Sequence, residues 1–161
     1  MQVPESYYQL YAEVDPSVTF NRNNSADREM NEKDKEDARK VYAMVTNIDD
    51  NLGKLFAKLE SLGIEENTII IFMTDNGPQQ LRYVGGMRGR KGSVYRGGTR
   101  VPFYFSYPAK FNGNKDIETT TAHIDILPTI AKLCDVPLPE KKIDGRNLLP
   151  LFKGEDSAWT P

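Results

Sequence analysis

Thr68-Ile69-Ile70-Ile71-Phe72-Met73-Thr74-Asp75-Asn76-Gly77-Pro78 is the stretch that decides the fold. Thr68 to Met73 is an unbroken β-branched and aromatic run. Without polar alternation, such a run suits a strand buried on both faces of a parallel sheet. Asp75-Asn76-Gly77-Pro78 then stops it with a cluster of turn-forming residues. A carboxylate and an amide therefore stand just past the carboxyl end of a central strand, where open α/β sheets bind ligands. Both carry hard oxygens of the kind Ca²⁺ and Mg²⁺ prefer. Read alone, the same four residues are an Asx-type turn with no ion.

Upstream, Glu65-Glu66-Asn67 turns the chain into this strand. Before it, Ala38, Val41, Tyr42, Val45, Ile48, Leu52, Leu55, Phe56, Leu59 and Leu62 recur three or four apart. That is one apolar helix stripe, and Gly63 is its natural stop. The mixed charge run Asn31 to Lys40 supplies the solvated first turns, with acids near the positive end of the dipole. Asp49 and Asp50 are adjacent on this helix and diverge in direction, so a structural role is expected of them. Helix, turn and strand of this kind build an α/β layer. Met1 to Ser25 carries Tyr7, Tyr8, Tyr11 and Phe20 at no regular period. Residues 1–30 read as an irregular segment that docks its rings on a larger body.

Downstream of Pro78 the chain runs through Gly85-Gly86, Gly89, Gly92 and Gly97-Gly98, interleaved with Arg82, Arg88, Arg90, Lys91, Arg96 and Arg100. Glycines let backbone amides approach an anion and the basic groups neutralise it. The Walker spacing is absent. Val101 to Tyr107 reads as a second strand and Thr119 to Ala122 as a short third one. A helix opens at His123 and runs to Cys134, with Pro128 tolerated in its first turn. Cys134 is expected to be a buried helix residue. Leu148 to Phe152 is a short apolar piece, and Gly154 to Pro161 is expected to fray.

Composition narrows the functions. With 21 basic and 23 acidic residues the net charge is −2, which argues against a nucleic-acid surface and gives no reason to expect a membrane one. No apolar run reaches the length of a span, and the first residues lack the pattern of a signal peptide. Cys134 is the only cysteine, so no internal disulfide forms; His123 is the only histidine. That leaves few nucleophiles and acids.

Four ordered blocks resemble the sulfatase family of the alkaline-phosphatase superfamily. They are Asn67 through Gly77; Arg88-Gly89-Arg90-Lys91-Gly92-Ser93-Val94-Tyr95-Arg96-Gly97-Gly98-Thr99-Arg100-Val101-Pro102; His123-Ile124-Asp125-Ile126-Leu127-Pro128-Thr129; and Asp144-Gly145-Arg146-Asn147-Leu148-Leu149-Pro150. Ile48 to Gly53 on the upstream helix is also similar to the family's. The resemblance implies an α/β fold, a partial alkaline-phosphatase-like sheet flanked by helices, with residues 1–161 as a single partial domain. It implies hydrolysis of sulfate esters, with Asp75 and Asn76 as two ligands of a divalent ion, Ca²⁺ or Mg²⁺. Lys91 matches the family's lysine at the sulfate and the leaving oxygen. His123 stands where members often have histidine, and a structural role is expected of it.

The family's nucleophile is a formylglycine made in a C/S-x-P/A-x-R motif, and no such motif is encoded here: Cys134 is followed by Asp135-Val136-Pro137-Leu138. The early acidic pair of the ion site has no counterpart either. The chain thus resembles the later part of a sulfatase catalytic domain and is expected to have no turnover alone. Arg96 stands where members usually have glutamate before Gly97-Gly98. A phosphate or phosphonate ester hydrolase or phosphotransferase of the same superfamily is one alternative; a non-catalytic interaction domain is the other. An incomplete sheet implies an open edge and self-association. By resemblance the compartment is periplasmic, secreted or lysosomal.

Overall fold

A computed structural model describes residues 2–20 and 28–155. Contacts divide the span into two compact units, Met1–Ser106 and Tyr107–Pro161. The fraying expected at the carboxyl end falls, from residue 156 on, outside the described residues.

The first unit is organised on helix α3, Glu32–Ser61. Asn31 caps it: its side chain accepts the Asp34 N–H at 2.9 Å, and the Asp34 carboxylate accepts the Asn31 N–H at 2.9 Å. This reciprocal box satisfies two backbone donors that the helix leaves open. At the far end the Gly63 N–H reaches Glu60 O at 2.8 Å and the Ile64 N–H reaches Leu59 O at 3.2 Å, which closes the last turn on the stop residue expected there. Two short helices precede α3, α1 (Glu5–Tyr8) and α2 (Ser17–Phe20). Three phenols tie this segment to α3. Tyr7 donates to Asp50 at 2.9 Å, Tyr8 donates to Glu36 at 2.5 Å, and Tyr11 shares a hydrogen bond with Thr46 at 2.6 Å. Phe20, Met30, Ala38 and Leu81 form the buried cluster beneath, with Tyr42 packed against it.

A single 3₁₀ turn, Glu65–Asn67, leads into strand β1, Ile70–Met73. Helix α4 (Arg96–Thr99) and strand β2 (Phe103–Ser106) follow the glycine-rich loop. Here the structure corrects the sequence reading. β1 pairs with β2 and the pairing is antiparallel, with Ile70 opposite Ser106 and Met73 opposite Phe103. Every β1 residue is half-buried rather than enclosed on both faces. An unalternating apolar run fixes a strand but not its partner, because the direction of pairing depends on which distant segment reaches it. Phe72 and Tyr104 face each other with ring centroids 6.2 Å apart, a cross-strand pair that contributes about 0.2–1 kcal/mol.

The second unit holds α5, Ile126–Leu133, entered through a 3₁₀ turn at His123–Asp125, and α6, Leu149–Lys153. Thr119 to Ala122 forms no strand. Cys134 caps α5 as an exposed residue, not a buried one. The helix ends one position earlier than its apolar pattern suggests, so the thiol falls outside the packed face. Leu148 and Leu151 are the buried anchors, 2% and 0% exposed. No helix among the described residues is long and apolar enough to cross a membrane.

Candidate functional site

β1 delivers Asp75 and Asn76 to the surface as the chain turns. Asp75 is exposed and Asn76 half-buried. The Asn76 backbone N–H donates to Asp75 Oδ1 at 3.0 Å, the Asx geometry that such residues favour. Among the described residues Asp75 Oδ2 and the Asn76 side-chain amide take part in no hydrogen bond. The turn therefore presents uncommitted hard oxygens rather than a closed internal network.

The glycine-rich loop is welded to this turn. Gly77 N–H donates to Gly98 O at 2.9 Å, and Lys91 N–H donates to Pro78 O at 3.0 Å. Gly97 N–H in turn reaches Arg88 O at 2.7 Å, and Ser93 N–H reaches Arg90 O at 2.9 Å. The contact is so close that a Cβ on Gly77 would overlap the Gly97 carbonyl, and one on Gly97 would overlap Gly89. Side chains at either position would hold the two segments apart. The weld places the backbone of Lys91 one hydrogen bond from Pro78, three residues past Asp75. Lys91 itself is exposed. Ser93 Oγ is buried in the weld with no hydrogen-bond partner among the described residues.

Two other loop cations, Arg88 and Arg82, have visible structural surroundings. The Arg88 guanidinium stacks over the Tyr95 ring at 4.0 Å from its centroid, a cation–π contact. Burial pulls the Arg82 guanidinium below its usual range, with the neighbouring Tyr42 opposing that shift. Arg96 is exposed at the start of α4. His123 is exposed at the entry to α5.

A residue that the sequence reading quoted but gave no role to organises the second unit. Asp125 is 5% exposed. Its carboxylate accepts the Ala122 N–H and the Arg146 N–H, each at 2.8 Å. Thr129 Oγ1 donates to Asp125 O at 2.6 Å and accepts the Leu148 N–H at 2.9 Å. Gly145 lies against Ile124 so closely that a Cβ there would overlap the Ile124 carbonyl. The third and fourth sequence blocks are thus one packed knot. The available signal was Asp125 and Thr129 four apart, with only apolar residues between them.

The donor set fits a hard divalent cation in part. Asp75 and Asn76 offer carboxylate and amide oxygens, whereas Ca²⁺ takes six to eight oxygen ligands. Among the described residues no group of three His, Cys, Asp or Glu side chains is placed to hold a metal. These two residues fit as one side of a coordination shell, not as a whole one.

Comparison with known proteins places the chain. The family model described as Sulfatase matches residues 2–136. Human arylsulfatase A is 36% identical over 112 residues, covering 66% of this chain and 22% of that protein. Human steryl-sulfatase is 33% identical over 122 residues, covering 69% of this chain and 21% of that protein. The chain thus spans about a fifth of the length of these curated relatives. The crystal structure of a putative sulfatase from Bacteroides fragilis superposes with a TM-score of 0.77 at 21% identity, over 94% of this chain and 33% of that one. That likeness concerns the fold.

Proposed function

This chain belongs to the sulfatase family, and from that premise we propose that it supplies the cation-gripping and leaving-group side of a sulfate-ester hydrolase. Asp75 and Asn76 are the two ligands it contributes to a site for Ca²⁺ or Mg²⁺. Such a cation, when bound, supplies positive charge that stabilises the transferring sulfuryl group. Lys91 contributes its ammonium to the sulfate and the departing oxygen, an electrostatic role that needs no proton transfer. The observation that carries this reading is the Lys91 N–H to Pro78 O bond at 3.0 Å, which ties the loop bearing the ammonium to the turn bearing the ligands.

By the same reading the isolated chain has no turnover, since it encodes no formylglycine motif, and it binds Ca²⁺ weakly. The test is a nuclear magnetic resonance titration with millimolar Ca²⁺. Shifts centred on Asp75 and Asn76 that vanish in Asp75→Ala support the site. Shifts centred elsewhere, or a silent turn at saturating Ca²⁺, overturn it.

Self-association is the partner this surface favours, and the occupant we propose is a second copy. Val45, Ile48, Leu52, Leu55 and Leu59 along α3, with Leu62 at its C-cap, recur three and four apart, the spacing of a helix seam. Four of them stay open: Val45 is 58% exposed, Ile48 44%, Leu55 49% and Leu62 55%. Among the described residues the two strands pair only with each other, so their outer edges add unpaired backbone groups.

A further inference from the structure

Asn-Gly occurs twice in the chain, at Asn76-Gly77 and at Asn112-Gly113. The structure puts the two copies in opposite settings. Asn112 and Gly113 are both exposed, in a stretch with neither helix nor strand. The Gly113 N–H has no hydrogen bond among the described residues, and a Cβ built on Gly113 meets nothing within 4 Å. Gly77 is buried and its N–H is committed to Gly98 O at 2.9 Å.

We propose that Asn112 is a site of spontaneous deamidation, with water as co-reactant, and that the Gly77–Gly98 hydrogen bond guards Asn76 from the same reaction. The step is an internal acyl transfer. The Gly113 nitrogen gives its proton to solvent base, and its electron pair attacks Cγ of Asn112. The new C–N bond closes a succinimide as the Cγ–Nδ2 bond breaks and ammonia leaves. Water then opens either ring carbonyl, giving aspartate or isoaspartate. Ammonia is lost, water is gained, nothing is oxidised, and the product carries one more negative charge. Glycine favours closure because no Cβ obstructs the ring, and asparagine is a recognised thermolabile residue.

At Asn76 the attacking atom is already engaged. Before Gly77 can reach Cγ of Asn76, its N–H must leave Gly98 and the weld around Gly97 must open. Reaction then proceeds only through a local opening, whose free energy lowers the rate in proportion. The isoaspartate at 112 would add a backbone carbon next to Phe111, whose ring packs edge-on against Phe152 at 5.3 Å. Asn114, two positions on, already has φ 62°. The inference does not depend on what Asp75 and Asn76 bind.

The experiment is to incubate the full chain at mildly alkaline pH and 37 °C, digest it, and follow both asparagines by peptide fragmentation. Conversion of Asn112 with Asn76 slower by about tenfold or more is expected, the factor that a modest opening free energy supplies. A parallel incubation in denaturing urea should bring the two rates together. Equal rates in the folded chain, an Asn112 that stays intact, or a rate difference that persists in urea would each overturn the proposal.

Discussion

The backbone amide of Gly77 donates to the carbonyl oxygen of Gly98 at 2.9 Å, with the Gly97 carbonyl filling the place a Cβ on Gly77 would take. Twenty-one positions apart in sequence, the two segments are therefore in direct backbone contact. Gly77→Ala and Gly97→Ala should each lower stability by about 1–3 kcal/mol through overpacking. Urea denaturation measures the loss. Amide exchange should show it concentrated in residues 88–100 and the turn at 75–78, and wild-type protection there in either variant would refute the weld.

If Lys91 faces the reacting sulfate, its charge matters only during turnover. In a catalytic domain that carries this segment together with a formylglycine, Lys91→Ala should lower kcat/KM by about 10²–10³, the range for removing one electrostatic donor. Its thermal stability should be unchanged, because the side chain is exposed. An unaltered kcat/KM would remove Lys91 from the site.

Acid should loosen the start of α3. The Arg28 guanidinium, first, and then the Asn31 N–H hold the Asp34 carboxyl below its ordinary value, with burial opposing them. A depressed carboxyl stabilises the folded state fully above its unfolded pKa, and this contribution is lost as pH falls through the folded pKa. Stability should therefore decline with acid from about pH 4 downward, and part of that slope should vanish in Asp34→Asn. Asn31→Ala, which removes the cap, should cost about 1 kcal/mol at neutral pH. Circular dichroism during urea titration at several pH values checks both.

Thr129→Val should be costly in the second unit. The hydroxyl is buried and serves both Asp125 O and the Leu148 N–H. Its loss leaves a buried amide without a partner, worth about 1–3 kcal/mol. Thr129→Ser should keep most of the stability, and a valine variant as stable as wild type would contradict this role.

Sedimentation of the isolated chain should show reversible association. Leu55→Lys on the open face of α3 should weaken it, while leaving the helix intact by circular dichroism. A concentration-independent monomer would refute the second copy as occupant.

Several features were legible in the residues alone. The heptad-like spacing from Ala38 to Leu62 gave α3 and its stop at Gly63, because helix periodicity and capping are local. The order of four motif blocks identified the family, and the run at Thr68–Met73 marked a strand with Asp75-Asn76 in the turn just past it. What remained open depended on closure between distant segments. The antiparallel partner of β1, the Gly77–Gly98 weld, the Asp125 and Thr129 knot and the exposure of Cys134 are settled by which backbone atoms meet after folding. No window of sequence contains both halves of those contacts, so the spacing of residues specifies the elements and only tertiary packing chooses their neighbours.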